Sequence, residues 1–160
     1  MIGKACLAAA AATIAVGLSG QPAAAQTSVK AGVLTCDVAS GWGLVFGSTR
    51  DLKCTFSDNS GSAEHYTGRI EKYGVDVGYH GAGVMAWAVL APTTDVPKGA
   101  LAGSYGGATA AVAAGVGASA NVLVGGTSGK TLSLQPLSIE GMTGVNLALG
   151  IAQITLVKAE

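Results

Sequence analysis

Two cysteines, Cys36 and Cys54, bound the segment that most restricts how this chain can fold. Residues 34–56 are apolar at both ends and rich in glycine and polar residues between, which predicts two strands joined by a long loop. A Cys36–Cys54 bond would hold these strands together, restricting the unfolded chain by about 3 kcal/mol. The alternative is a metal-binding or redox pair, which needs further ligands or Cys-x-x-Cys spacing, and the sequence has neither.

The first residues have the organisation of an export signal. A lysine in residues 1–4 precedes an apolar run at 5–18, and residues 21–25 end in Ala-x-Ala. The alternatives are a buried helix or a retained anchor, but the run is short for a span of about 20 residues. We therefore predict a cleaved signal peptide at 1–25, a single β domain at 26–160 and a periplasmic or secreted location. An exported chain with an even cysteine pair favours a Cys36–Cys54 disulfide.

Short alternating runs of apolar and polar residues, separated by turn signals, continue along the mature chain. Residues 58–63 are the clearest hairpin turn, whereas the glycines and polar residues of 39–43 and 47–51 are interpreted as turns. The uncharged stretch 99–129 alternates valine and alanine, so we favour two strands over a membrane helix, which its glycines disfavour. The other predicted strands are residues 29–38, 44–47, 52–57, 65–73, 75–79 and 84–91. Two further runs, at 132–139 and 145–156, are separated by a predicted turn at 140–144, and the second has a bulge near Gly150.

These runs amount to about eight to ten strands with no convincing helix, which predicts an all-β fold, a small antiparallel β-barrel or β-sandwich. The nine basic and nine acidic residues form no cluster, so we expect no nucleic-acid partner. No stable transmembrane segment is expected after signal cleavage. An outer-membrane barrel is disfavoured because too few strands reach about 10 residues and aromatic girdles are missing.

Several segments, taken in order, resemble the bacterial domain of unknown function 992 family, and the resemblance covers nearly the whole mature chain. This resemblance implies a small exported protein with no assigned activity, and it supplies no catalytic residues. The segments that carry it are residues 29–36, 41–43, 48–54, 68–74, 86–92, 103–105, 120–126 and 134–141.

The sequence contains no catalytic or metal-binding motif. His65 and His80 are the only histidines, and beside Glu64 or Asp76 they could form a base or a metal site. Neither has a metal-ligand spacing and both lie beside turns, so we interpret them as solvated surface residues. No serine lies in Gly-x-Ser-x-Gly, and no glycine-rich loop has a phosphate-loop pattern. We therefore predict no catalytic residues, no metal and no cofactor, although carboxylate chemistry needs no motif.

Three residues are candidates for binding. Trp42, between two glycines, is a potential anchor, although we prefer to place it over the barrel end or in the core. Arg50 and Arg69 belong to polar clusters. In one interpretation these clusters recognise an anion or a partner, and in the preferred interpretation they form a solvated face. Arg69 and Glu71 share a strand face and are expected to pair. Trp87 is predicted to be a core residue.

We therefore expect an exported, non-enzymatic β domain that binds an envelope protein or has a structural role in the cell envelope. The alternative is a carrier of a small apolar ligand or lipid, held in a barrel cavity lined by the alternating alanine and valine strands.

Overall fold

The computed structural model describes residues 27–43, 47–72, 78–107, 122–126, 132–140 and 151–160. These ranges contain strands and turns and no helix. Eight strands form a closed antiparallel barrel in the order β1-β3-β4-β10-β7-β8-β9-β6, while β2 and β5 form a separate two-stranded sheet. The strands are β1 (Val29–Val38), β2 (Gly41–Gly43), β3 (Ser48–Asp58), β4 (Ala63–Lys72), β5 (Gly78–His80), β6 (Gly83–Ala91), β7 (Gly103–Gly106), β8 (Leu123–Gly125), β9 (Leu132–Glu140) and β10 (Ile151–Lys158).

The predicted all-β barrel is confirmed, and β1, β4 and β6 lie where the alternation placed them. The hairpin turn at residues 58–63 is confirmed as well, since Asp58 Oδ1 accepts hydrogen bonds from the Ser60 and Ser62 amides at 2.9 and 2.8 Å. The predicted bulge near Gly150 corresponds to a register shift between Ile151 and Gln153. Residues 44–46 of the strand predicted at 44–47 and most of the alternating stretch within 99–129 lie outside the described residues. So do residues 75–77 of the strand predicted at 75–79, whose last two residues lie in β5.

Two turn predictions are wrong. Residues 47–51 lie mostly within β3, where Ser48 and Arg50 face inward and Thr49 and Asp51 face outward. Their polarity resembled a turn because the mouth of this barrel accepts polar side chains on its inner face. Residues 41–43 form β2, since their two glycines flank a strand position rather than a tight turn.

Large side chains fill the described barrel interior. Trp87, predicted to be core, is 1% exposed, and side chains from all eight barrel strands lie in one apolar cluster. A small barrel has room for little beyond its own inward side chains. The fully buried large residues are Trp87, Tyr66, Tyr105, Leu34, Leu52, Ile70, Met85, Leu101, Leu123, Leu134, Ile154 and Leu156.

The cysteine pair lies inside this interior. Cys36 and Cys54 are direct partners in the β1–β3 ladder, with Cα atoms 4.0 Å apart and sulfur atoms 2.05 Å apart. They are 0% and 3% exposed, so the bond joins neighbouring strands from within the core. The predicted disulfide thus falls where a non-hydrogen-bonded antiparallel pair brings two side chains closest together.

Glycines occur where barrel strands approach each other too closely for a side chain. A Cβ atom at Gly32 would overlap the Ser57 carbonyl oxygen and the Phe56 ring, and one at Gly68 would overlap the Thr155 carbonyl oxygen. Substitution at either position would therefore displace backbone rather than a flexible side chain.

The barrel has two different ends. At one, called here the loop end, residues 92–102 cross the mouth and Leu101 is fully buried. Tyr105 donates its hydroxyl hydrogen bond to the Leu101 carbonyl at 2.9 Å. Glu64 accepts from the Tyr66 hydroxyl at 2.6 Å and from the Gly99 amide at 3.1 Å, which ties the loop to β4. The other end, called the ribbon end, carries the β2–β5 sheet.

We predict a loss of stability at alkaline pH that depends on the two buried tyrosines. Burial raises the pKa of both hydroxyls above the ordinary 10.0, and at Tyr66 the Glu64 hydrogen bond adds to the effect. The folded state keeps both protons while the unfolded state releases them, so this stabilisation is complete below pH 10.0 and declines above it. Melting temperature measured against pH should fall more gently above that value in Tyr105→Phe than in the native sequence. Equal slopes would contradict the prediction.

Candidate binding surface

The β2–β5 sheet, called here the aromatic ribbon, brings together two segments that are distant in the sequence. Gly41 pairs with His80, Trp42 with Tyr79 and Gly43 with Gly78. β2 follows β1 after Ala39 and Ser40, and β5 precedes β6 by two residues, so both strands are attached to the ribbon end of the barrel. Three of the six ribbon residues are glycines, and the paired central positions are Trp42 and Tyr79.

Trp42 and Tyr79 form an exposed aromatic pair. Their ring centroids are 5.7 Å apart with the planes at 65°, an edge-to-face contact. Trp42 is 72% exposed and Tyr79 is 59% exposed. The interpretation of Trp42 as a core residue is therefore wrong, whereas its expected position at one end of the barrel agrees with the ribbon. Edge-to-face pairs contribute roughly 0.5–1.5 kcal/mol beyond area burial, so each ring helps to hold the other in place while both remain accessible.

Arg50 is buried beneath the ribbon. It lies on the inner face of β3, is 6% exposed and is partnered within the protein. A Cβ atom placed on Gly41 would lie 3.6 Å from the Arg50 Nε and Nη1 atoms, so β2 runs directly over the guanidinium. The preferred interpretation of Arg50 as part of a solvated face is wrong because the inner positions of β3 continue as far as Ser48. Its burial makes it a support for the ribbon.

Arg69 occupies the outer wall of the barrel. Its Nε atom lies 3.6 Å from Asp51 Oδ1, and these residues are direct partners in the β3–β4 ladder. Arg69 therefore pairs with Asp51 on the neighbouring strand and not with Glu71, the expected partner on its own strand. Both side chains are well exposed, at 61% and 79%, so the pair contributes at most about 1 kcal/mol. The structure brings Trp42 and Arg50 to one end and leaves Arg69 on the side wall.

Tyr79 is the residue of this surface that sequence reasoning missed. The signal was present, because Gly78-Tyr79-His80 repeats the arrangement of Gly41-Trp42-Gly43, an aromatic residue beside glycine in a short uncharged segment. Alternation within each segment assigns no partner, and only the antiparallel pairing of the two strands places the rings together.

The loop end contains a second candidate site. A pocket of about 310 Å³ lies between residues 92–100 and the ends of β6 and β9, with Ala91 and Leu132 on its barrel side. Val96, Pro97 and Ala100 supply apolar contacts from the loop. His65 does not line this pocket; it is exposed on β4, with its Nδ1 atom 3.2 Å from Thr55 Oγ1. Mostly apolar pockets near this size are typical of small-molecule sites.

The described ranges contain no group of three or more histidine, cysteine, aspartate or glutamate side chains placed to hold a metal ion. No helix in those ranges is long and apolar enough to cross a membrane.

The family model DUF992, described as a protein of unknown function, matches residues 10–157. The chain belongs to this family. The resemblance seen in the sequence segments is thereby confirmed over nearly the whole chain. Comparison with curated proteins found no match, and comparison with solved structures found none either. DUF992 membership names no activity, so the case for function depends on the geometry of the two barrel ends.

We predict that the two arginines differ sharply in their contribution to stability. Arg50→Met removes a buried guanidinium and leaves its partners unsatisfied, so we expect a loss of about 2 kcal/mol or more in the free energy of unfolding. Arg69→Met, the matched control, removes only an exposed ion pair and should cost below about 1 kcal/mol. Chemical denaturation of both variants measures the difference. Equal effects would contradict the assignment of Arg50 as a support for the ribbon.

Proposed function

We propose that this chain is an exported, non-enzymatic binding domain that docks an envelope protein through the Trp42–Tyr79 ribbon. In this proposal residues 1–25 are a signal peptide, and residues 26–160 are a single mature domain in the periplasm or outside the cell. The observation that carries the binding role is the exposed edge-to-face pair of Trp42 and Tyr79. Because the Trp42 and Tyr79 rings are exposed on the β2–β5 sheet, they contribute little to the barrel core. Contact with another molecule would explain why two large aromatic side chains occupy these positions.

A protein partner fits the chemistry of this end better than a charged polymer or an anionic lipid surface. Tryptophan and tyrosine are the residues most enriched at the centres of protein interfaces, where they bury large area at low entropic cost. Binding to nucleic acid or anionic lipid requires clustered positive charge. Here both signs are interspersed on the nearby strand ends, with Asp37, Asp51 and Glu71 beside Arg69 and Lys72.

Export is supported by the leader and by the buried cysteine pair. A disulfide between Cys36 and Cys54 forms and persists in an oxidising compartment, such as the periplasm.

We predict that a photo-crosslinking amino acid at position 79 yields a discrete adduct with a partner protein in cells. The same group at position 157 is the matched control, because Val157 is also 59% exposed but lies on the outer wall. Trp42→Ala should abolish the adduct at position 79, since it removes half of the aromatic surface while leaving the barrel core unchanged. Equal adducts at both positions, or an adduct that survives Trp42→Ala, would refute docking through the ribbon.

A second function, carriage of a small apolar ligand, is favoured by the pocket at the loop end. Its volume of about 310 Å³ and its lining by Ala91, Val96, Ala100 and Leu132 suit a compact apolar molecule. The proposed site differs from the cavity expected from the sequence. In the described part of the barrel the interior is filled by side chains, and the space lies outside the mouth beneath residues 92–100.

The native mass of protein purified from the periplasm without reductant tests export and carriage together. We expect the mass of a chain that begins at Gln26. This mass should be lower than that of the reduced chain by the two hydrogen atoms that are lost when the Cys36–Cys54 disulfide forms. Extra mass lost on denaturation, and absent from Ala100→Phe, which fills the pocket, would support carriage. A chain that retains its leader would contradict export, and a clean apo mass would remove the second function.

A further inference from the structure

One carboxylate oxygen at the loop end is buried without a partner. The Oε2 atom of Glu64 accepts hydrogen bonds from the Tyr66 hydroxyl and the Gly99 amide, at 2.6 and 3.1 Å. The Oε1 atom of the same carboxylate is inaccessible to water and accepts no hydrogen bond. A buried acceptor left unsatisfied is costly, so this position favours a group that donates to it.

Glu64 also lines a second pocket at this end, separate from the apolar pocket beneath residues 92–100. This pocket, called here the mouth pocket, has a volume of about 520 Å³ and is lined by both charged and apolar side chains. Lys98 on the loop and Lys158 at the end of β10 line this pocket. Phe56 and Val96 supply apolar contacts. A Cβ atom on Gly99 would lie 3.9 Å from the Lys158 Nζ atom, so this ammonium group sits over the loop residue that donates to Glu64.

We propose that the mouth pocket binds a small zwitterion of the α-amino acid class. The ammonium group of the ligand donates to Glu64 Oε1, and its carboxylate is held by Lys98 and Lys158. An aliphatic side chain packs against Phe56 and Val96. This site does not involve the Trp42–Tyr79 ribbon, so it can hold or fail independently of the proposed docking function.

The charges of the pocket favour a zwitterion over a simple cation or anion. A simple amine would satisfy Glu64 but would offer no anionic group to the two lysines. A simple carboxylate would suit the lysines but would leave Glu64 Oε1 unpartnered and face its negative charge. Asp58 and Glu160 also line the pocket, and the Asp58 Oδ1 atom already accepts from Ser60 and Ser62. A ligand that carries an ammonium group and a carboxylate group on the same carbon can donate to Glu64 Oε1 and accept from the two lysines at the same time.

Because Glu64 Oε1 is inaccessible to water, a ligand reaches it only when the loop that carries Val96, Lys98 and Gly99 moves. The Gly99 amide is therefore a built-in reporter, because it donates to the same carboxylate that receives the ligand.

The test is a titration of the mature protein with L-leucine, followed by calorimetry and by the amide NMR shift of Gly99. We expect saturable binding that moves the Gly99 resonance. Isoamylamine, which lacks the carboxylate, and isocaproate, which lacks the ammonium group, should each bind at least about tenfold more weakly. Glu64→Gln keeps an oxygen for Tyr66 and Gly99 but places an amide donor at the orphan position, so it should weaken L-leucine binding by a similar factor.

Matched variants separate the site from general effects of charge. Glu71→Gln, on the outer face of the same strand, and Lys53→Gln, on the outer face of β3, should bind L-leucine as the native protein does. Lys158→Gln should weaken binding without lowering the melting temperature, because Lys158 is exposed. Absence of saturable L-leucine binding to the native protein would overturn the proposal. Unchanged binding by Glu64→Gln would overturn it as well.

Discussion

The pairing of β1 with strands on both of its sides is the constraint on which the rest of this structure depends. β1 meets β3 at Cys36 and Cys54 and meets β6 along nearly its whole length, so it closes the sheet on itself. Closure removes unpaired edges from strands that carry few charges and would otherwise associate with other chains. The cysteine pair lies within the β1–β3 ladder. A slip of one residue in the register of β1 would turn Cys36 and the other inward side chains of that strand toward solvent.

Once the barrel is closed and filled, its chemistry is confined to its two ends. The described interior is filled by aromatic and branched apolar side chains, among them Trp87, Leu34 and Ile154. In the described strands, the inward-facing charged side chains Arg50 and Glu64 lie near the mouths, Arg50 under the ribbon and Glu64 under the loop. Each is covered by a segment whose glycine allows close approach, Gly41 over Arg50 and Gly99 beside Glu64. The two mouths therefore differ in character: one presents an aromatic surface above the buried Arg50, and the other a polar pocket beside the partly buried Glu64.

Much of the fold was predictable because alternation is a local property. The strands at residues 29–38 and 84–91, the turn at 58–63 and the bulge beside Ile151 follow from side-chain polarity and turn chemistry within a few residues. The errors at residues 47–51 have one cause. Ser48 and Arg50 were assigned to a turn because inward positions were expected to be apolar, and that expectation fails at a barrel mouth. Glu64 was considered only as a partner of the histidines, although it shares the inward parity of Tyr66 and Ile70.

The sequence by itself determined the class of fold, the cysteine pair and the family, because periodicity, residue type and motif order need no knowledge of distant contacts. Only the tertiary structure decided which chemical groups meet. The antiparallel pairing of β2 with β5 places Trp42 against Tyr79 and keeps both rings in water. The path of residues 92–102 across the mouth brings the Gly99 amide to Glu64 from far along the chain and leaves one carboxylate oxygen without a donor. Contacts of this kind depend on barrel closure, which is a property of the whole chain, and no local pattern encodes them.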